Sequence, residues 1–316
     1  MHMHSGTPYA MLKLTLLLFS ILLLGQPAVT ENITDHHAIR GPPKPTIVLV
    51  HGAWLTPMQY MELIVLLDMK GYRTIIQQLP SVDSQNPKAQ TVATDAAFVR
   101  ESLLCPEIQA GREVVLLMHS YGGFPGPIAA NGLSKKELQA RKESGGIIGM
   151  IMLSAFVALE GQSLLDKLPG KVYSDWIIQN NATGQLTIAD PAYHFFNDLS
   201  TTAATNLAKT VKPQSKASFQ SPAGPPAWAN NTIYNDRRVY LQTALDHALP
   251  IDAQRSFLAE SGVEWDVRTF QAGHCSFISQ PEAVAQAVVA AAEVFQGSGV
   301  SGEGTTLNAG NISSSV

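Results

Sequence analysis

Residues 113–123 read EVVLLMHSYGG. The first six, Glu113 to Met118, are too few for a helix and apolar on both faces, as a strand buried inside a parallel sheet must be. The run breaks at His119-Ser120-Tyr121-Gly122-Gly123, which sets a serine at the apex of a strand-to-helix turn. A sharp, strained turn of this kind exposes the serine oxygen, and the amides at the helix start can stabilise an oxyanion. Gly122, two residues after the serine, permits close packing. Met118 stands two residues before it, so the pattern GxSxG is half matched.

Working outward, the same kind of run recurs. Residues 46–50 (TIVLV) and 146–153 (GIIGMIML) read as strands buried on both faces, and 73–77, 239–242 and 264–270 supply three more. Helical spacing appears over 58–69, stopped by Gly71, and over 92–104, 251–261 and 281–295, with a further helix opening after Ser120. Strand and helix alternate, which predicts an α/β fold with a mostly parallel sheet and helices on both faces. The interval from about 159 to 235 breaks the alternation. No buried strand is expected there, only short helical patterns, the stretch SPAGPPAW, and the aromatics Tyr173, Trp176, Tyr193, Phe195, Phe196 and Trp228. Long structureless loops are rare, so the interval reads as a cap over a site. Its aromatics serve equally well as the cap's own core or as pocket lining. Trp176 and Phe195 join Trp54 and Tyr121 as candidate substrate-contacting residues.

Composition narrows the class. The chain has 316 residues, is 45% hydrophobic and 15% charged, and carries 21 basic against 25 acidic side chains for a net charge of -4. Its length supports a sizeable core without disulfides or metal, and a charge this small leaves no footprint for nucleic acid. Residues 14–24 form an almost unbroken apolar run of eleven preceded by Lys13 and followed by Gly25, Gln26, Pro27 and small residues. That order is a secretory signal, ending near residue 30, and eleven helical residues cross only about half of a ~30 Å hydrocarbon core. A secreted or secretory-pathway protein, with no stable membrane insertion after signal removal, is therefore expected. Glycosylation sequons stand at Asn32, Asn181, Asn230 and Asn311. Residues 31–44 read as a linker, 45–296 as the folded domain, and 297–316, small and polar, as a disordered tail.

Chemistry in open parallel sheets collects at the carboxyl ends of strands. The strand ending at Val50 runs into His51, Gly52, Ala53 and Trp54, where the amide of Ala53, with that of Tyr121, would form a two-donor oxyanion hole. Asp246 follows the strand at 239–242 and His274 follows the one ending at Phe270, in AGHCSF. Ser120, then Asp246, then His274 is the chain order of an α/β-hydrolase triad, with His274 shuttling the serine proton and Asp246 fixing the imidazole tautomer. Asp252 is a rival acid, better explained as a charge or cap at the start of the next helix. His51 and His119 read as positional and His247 as solvated. Cys275 belongs near the top of the sheet and Cys105 near its bottom, too far apart to bridge, so two free thiols are expected. No spacing suggests a metal site or a dinucleotide loop, and no cofactor is expected.

Taken together, VHGAW, the LPS at Leu79 to Ser81, HSYGG, YLQTALDHALP with Gln254 beyond it, and AGHCSFISQPE resemble the fungal α/β-hydrolases related to plant methyl-ester esterases and hydroxynitrile lyases. The resemblance covers about residues 45–295. It implies the α/β-hydrolase fold with a cap inserted between its sixth-type and seventh-type strands. It also implies Ser120 as nucleophile, His274 as base, Asp246 as acid, and the amides of Ala53 and Tyr121 as oxyanion donors. The lyases resemble one another in carrying a lysine directly after the catalytic histidine, where this chain has Cys275. A serine at the turn also sets aside haloalkane dehalogenases and epoxide hydrolases, which use a carboxylate there. What remains is a serine hydrolase acting on a carboxylic ester, lactone or thioester of a medium-sized apolar small molecule. A non-hydrolytic tailoring enzyme of fungal secondary metabolism, such as a cyclase or lyase, and a ligand-binding protein on a hydrolase scaffold are the alternatives.

Overall fold

The computed structural model describes residues 43–297. The expected signal segment, the expected tail from residue 298 onward, nearly all of the expected linker, and the sequons at Asn32 and Asn311 lie outside the described residues. Strands β1 (Thr46–Val50), β2 (Thr74–Ile75), β3 (Glu113–His119) and β4 (Gly146–Leu153) form first along the chain. After the cap, with its own strands β5 (Ile177–Asn180), β6 (Gln185–Ile188) and β7 (Gln214–Ser215), come β8 (Arg238–Thr243) and β9 (Asp266–Phe270). The main sheet runs β2-β1-β3-β4-β8-β9, with every neighbouring pair parallel. Helices surround it, with Met61–Met69 packed on Pro281–Gln296 and Val92–Phe98 packed on Pro125–Ala129.

Burial explains why the central strands were legible and the edges less so. β1, β4 and β8 are buried at every residue, and β3 at all but Glu113. β1, β3 and β4 are accordingly apolar along nearly their whole length, whereas β8 buries Arg238, Gln242 and Thr243 on hydrogen-bond partners of their own. β2 and β9 lie at the edges and are shorter than the sequence runs around them, because one side of each lacks a pairing partner. The run read as one helix over 92–104 is α-helical over Val92–Phe98, widens to a π turn over Val99–Leu104, and resumes over Cys105–Gln109. Pro106 in that first turn has no N–H to donate and its ring crowds the carbonyl four residues back, which a wider turn accommodates.

The cap departs from expectation. It does contain strands, β5, β6 and β7, in a small antiparallel sheet, with Ile177, Leu186, Gln214 and Ser215 buried. Their alternation is too short to register as a pattern, and β7 reads as polar because its stability comes from hydrogen bonds. The Ser215 amide donates to the Ser81 carbonyl at 2.7 Å and the Ser215 hydroxyl to the Gln90 carbonyl at 2.7 Å. Asn181, in the turn between β5 and β6, and Asn230 are both exposed. Among the described residues no helix is long and apolar enough to cross a membrane.

The turn after β3 positions everything above the sheet. Ser120 sits in the left-handed region at φ 52°, a conformation that costs on the order of 1–3 kcal/mol for a residue with a side chain. The following 3-10 turn, Ser120–Gly123, is held by contacts only glycine allows. A Cβ on Gly122 would fall on the Val50 carbonyl oxygen, and one on Gly123 on the Phe156 carbonyl oxygen. Gly224, by contrast, has its nearest neighbour, Ile128 Cγ2, 3.4 Å from a built Cβ. Gly122→Ala should therefore lower unfolding free energy by about 1–3 kcal/mol in urea titration, while Gly224→Ala changes it by less than about 1 kcal/mol. Equal effects would refute the backbone-contact account.

Candidate active site

The carboxyl ends of β3, β8 and β9 bring together the three residues expected from the sequence. His274 Nε2 lies 3.0 Å from Ser120 Oγ, and His274 Nδ1 lies 2.8 Å from Asp246 Oδ2. All three are buried. The Asp246 carboxylate is itself fixed. Its Oδ1 accepts from the amides of Ala248 at 2.8 Å and Leu249 at 2.7 Å, and its Oδ2 accepts from the Thr243 hydroxyl at 3.0 Å. Gln254 closes the same loop, accepting from the Thr243 amide at 3.1 Å and donating to the Leu249 carbonyl at 2.7 Å. Asp252 instead stands in the exposed first turn of Ile251–Ser261, where it faces Arg255 at 3.7 Å.

The other histidines fall into distinct settings. His119 accepts from the Tyr60 hydroxyl at 2.7 Å through Nδ1 and donates to the His274 carbonyl at 3.1 Å through Nε2. Tyr60 in turn accepts from the Gly52 amide at 3.0 Å. Burial holds the His119 imidazole well below its ordinary range, reinforced by the neighbouring His274, so it stays neutral. His51 donates from Nδ1 to the Gly52 carbonyl at 2.8 Å and accepts from the Leu79 amide at 2.8 Å. Burial lowers its pKa to about 4. His247 is exposed, and its Nδ1 donates to the Tyr193 carbonyl at 3.1 Å. Cys105 and Cys275 are both free. Burial pushes the Cys275 thiol well up, aided by Asp246 and Asp198.

An apolar pocket of about 360 Å³, mouth included, opens above Ser120 and His274. Ala53, Trp54, Tyr121, Trp176 and Phe195 all line it. Trp54 is the hub, with ring centroids 5.9 Å from Trp176, 5.9 Å from Phe195 and 5.1 Å from Phe219. It also ties the core to the cap, donating from its ring nitrogen to the Leu186 carbonyl at 3.0 Å. The cap aromatics divide. Trp176 and Phe195 face the pocket, Phe196 and Trp228 are buried elsewhere, and Tyr193 is exposed. Trp228 packs on Trp265 at 5.9 Å, in the cap's junction with the sheet. Phe156, Leu164, Leu168, Ile177 and Phe219 also line the pocket and were not singled out by sequence.

A second group that sequence reading passed over lies beneath Tyr121. Asp95 is fully buried and accepts from the Tyr121 hydroxyl at 2.6 Å, the Ser81 hydroxyl at 2.5 Å and the Ser81 amide at 3.0 Å. Gln214 of β7 donates to the Ser81 hydroxyl at 2.8 Å, joining cap to core. Burial raises the Asp95 carboxyl from 3.8 to about 6, against the opposing pull of these hydrogen bonds. A signal was present: Val92, Asp95, Ala96 and Val99 follow the i, i+3, i+4, i+7 spacing of one helix face. An aspartate on an otherwise apolar face needs buried partners.

Comparison with known proteins agrees with the fold. A probable hydrolase from Phoma sp. is 28% identical over 244 residues, covering 76% of this chain and 94% of that one. The crystal structure of a pyrethroid hydrolase from Sphingobium faniae superposes with a TM-score of 0.62 at 22% identity, covering 79% of this chain and 97% of that one. That of a methylesterase protein from Arabidopsis gives 0.60 at 18% identity, covering 79% and 99%. Residues 47–287 match the alpha/beta hydrolase family, and the chain belongs to it.

Proposed function

We propose that this chain is a serine hydrolase that cleaves a carboxylic ester, lactone or thioester of a medium-sized, largely apolar small molecule through an acyl-enzyme on Ser120. The observation that carries the reading is the continuous line Asp246, His274, Ser120, with steps of 2.8 and 3.0 Å, at the floor of an apolar pocket. His274 takes the Ser120 proton as the oxygen attacks the substrate carbonyl. Asp246 holds the proton on Nδ1, leaving Nε2 free to act as base, and offsets the charge of the imidazolium. The amides of Ala53 and Tyr121 receive the oxyanion, and each such donor is worth roughly 10²–10³ in rate. The imidazolium then protonates the leaving alcohol or thiol. Water, deprotonated by His274, attacks the acyl-enzyme, and collapse of that intermediate returns the proton to Ser120 and releases the acid.

Two features favour hydrolysis over the lyase alternative. Cys275 follows His274, and its buried, neutral thiol offers no cation for a departing anion. Among the described residues no Asp, Glu, Lys or Arg lines the pocket, so a neutral, apolar acyl or alcohol portion fits best. That substrate class is in keeping with the similar pyrethroid hydrolase from Sphingobium faniae and methylesterase protein from Arabidopsis.

A fluorophosphonate probe should label Ser120, and Ser120→Ala should abolish labelling while lowering hydrolysis of short acyl esters by at least about 10⁴-fold. A wild-type protein that binds an apolar ester yet neither turns it over nor accepts the probe would instead be a binding scaffold. Product formed in isotopically labelled water should carry one labelled oxygen in the acid, and its absence would favour cyclisation.

Tyr121 supplies a proposed oxyanion amide while its phenol rests on Asp95, so the ionisation of Asp95 bears on the site's stability. Its folded pKa, about 6, exceeds the unfolded value of 3.8. The contribution to stability is therefore full below about pH 3.8 and lost as pH rises through about 6, a change of about 3 kcal/mol. Asp95→Asn cannot ionise. Relative to wild type its unfolding free energy should climb between pH 4.5 and 7.5, and a pH-independent difference would refute the assignment.

A further inference from the structure

One short cap segment touches both loops that carry the acid and the base. In helix Pro191–Phe195 and the turn after it, the Phe195 ring packs against the His274 imidazole, centroids 5.1 Å apart. Two residues on, Asn197 Nδ2 donates to the Leu245 carbonyl at 2.9 Å, immediately before Asp246. Asp198 Oδ2 then accepts from the Gly273 amide at 2.6 Å, immediately before His274, and from the Ser279 hydroxyl at 2.6 Å, just beyond it. Bonds this short to a carboxylate are charge-assisted and about twice as strong as neutral ones.

Gly273 is part of the same fit. A Cβ there would press on Asn197 Oδ1 and Asp198 Oδ1, so the bare backbone admits both cap side chains. The seam is continued by a reciprocal pair, in which His247 Nδ1 donates to the Tyr193 carbonyl at 3.1 Å and His194 Nδ1 donates to the His247 carbonyl at 3.4 Å. The acid loop and the base loop are thus joined to one cap segment, in addition to their direct backbone bond from the Leu245 amide to the Ala272 carbonyl at 3.0 Å.

We propose that Asp198 is a positioning residue for the triad, a latch through which docking of the cap holds the His274 loop in register with Asp246 and Ser120. It touches no reacting atom and acts through the backbone of Gly273. The proposal rests on the reading of Ser120, His274 and Asp246 as the catalytic set. It makes the alignment of the base depend on the seating of the segment that also forms the pocket wall.

Two readouts in the full chain separate this from simple packing. With a short acyl ester, Asp198→Ala should lower kcat by about 10–100-fold, with KM within about threefold of wild type. Asp198→Asn keeps an oxygen acceptor for the Gly273 amide and should recover most of that loss. The second readout needs no turnover: the His274 Nδ1 proton shared with Asp246 gives a downfield proton NMR signal, assigned by its loss in Asp246→Ala. Asp198→Ala should broaden or shift that signal, and Asp198→Asn should restore it. An unmoved signal in Asp198→Ala overturns the latch, as does equal damage in both variants tracking a fall in Tm. If Asp198→Ala does not fold, Asp198→Asn decides: a near-native signal and rate support the latch, and loss of both overturns it. A wild type that neither hydrolyses esters nor takes the fluorophosphonate probe would defeat the hydrolase reading, and the NMR comparison would still decide the latch.

Discussion

The site depends on two backbone contacts that tolerate no side chain: Gly122 against the Val50 carbonyl and Gly123 against the Phe156 carbonyl. β1, β3 and β4 are adjacent parallel strands, spaced about 4.8 Å apart, and the turns leaving all three compete for the same small volume. Glycine at both positions lets the turn after β3 settle between its neighbours. Ser120 is thereby forced to φ 52°, with its oxygen turned up toward His274. The same settlement brings Ala53, at the end of β1, into the pocket beside Tyr121. The Ser120 hydroxyl and the two amides proposed as oxyanion donors are thus placed by one packing constraint.

Burial likewise sets how much of the fold is legible in the sequence. β1, β3 and β4 were legible because burial on both faces demands near-continuous apolar runs, and Asp246 and His274 because they follow the two later strands in triad order. Three kinds of feature escaped. β7 is stabilised by hydrogen bonds from Gln214 and Ser215, so its letters look like loop. Asp95 and Tyr60 sit in helical stretches whose spacing puts Asp95 on an apolar face, but the letters do not name their partners, which lie 26 and 59 residues away at Tyr121 and His119. The cap aromatics could not be sorted, since Trp176 in the pocket and Trp228 against Trp265 satisfy the same demand for apolar surface.

The buried polar groups around Ser120 divide by what burial does to them. His51 and His119 are driven neutral, and each has both ring nitrogens committed to protein groups. Neither retains a free lone pair near Ser120, so three imidazoles crowd the sheet's top without competing for one proton. His274 differs in having a carboxylate on Nδ1 and only the serine oxygen on Nε2. In a low-dielectric site that single difference decides which imidazole can carry positive charge, because an unpaired buried cation costs several kcal/mol.

The cap then carries two burdens at once. Phe195 forms pocket wall, and three residues later Asp198 holds the backbone before His274. With a net charge of only -4 and a pocket whose walls are apolar, there is little long-range steering of substrate. Selection must come from contact, through burial worth roughly 25 cal/mol per Å². Under the proposed function, a substrate that fits would press on the same short segment whose far end bonds the backbone before His274, whereas a poor fit would leave that segment less constrained. On that reading, contact energy gained at the wall would be expressed as alignment of His274. Such energy raises kcat where it is realised in the transition state, and tightens binding where it is not.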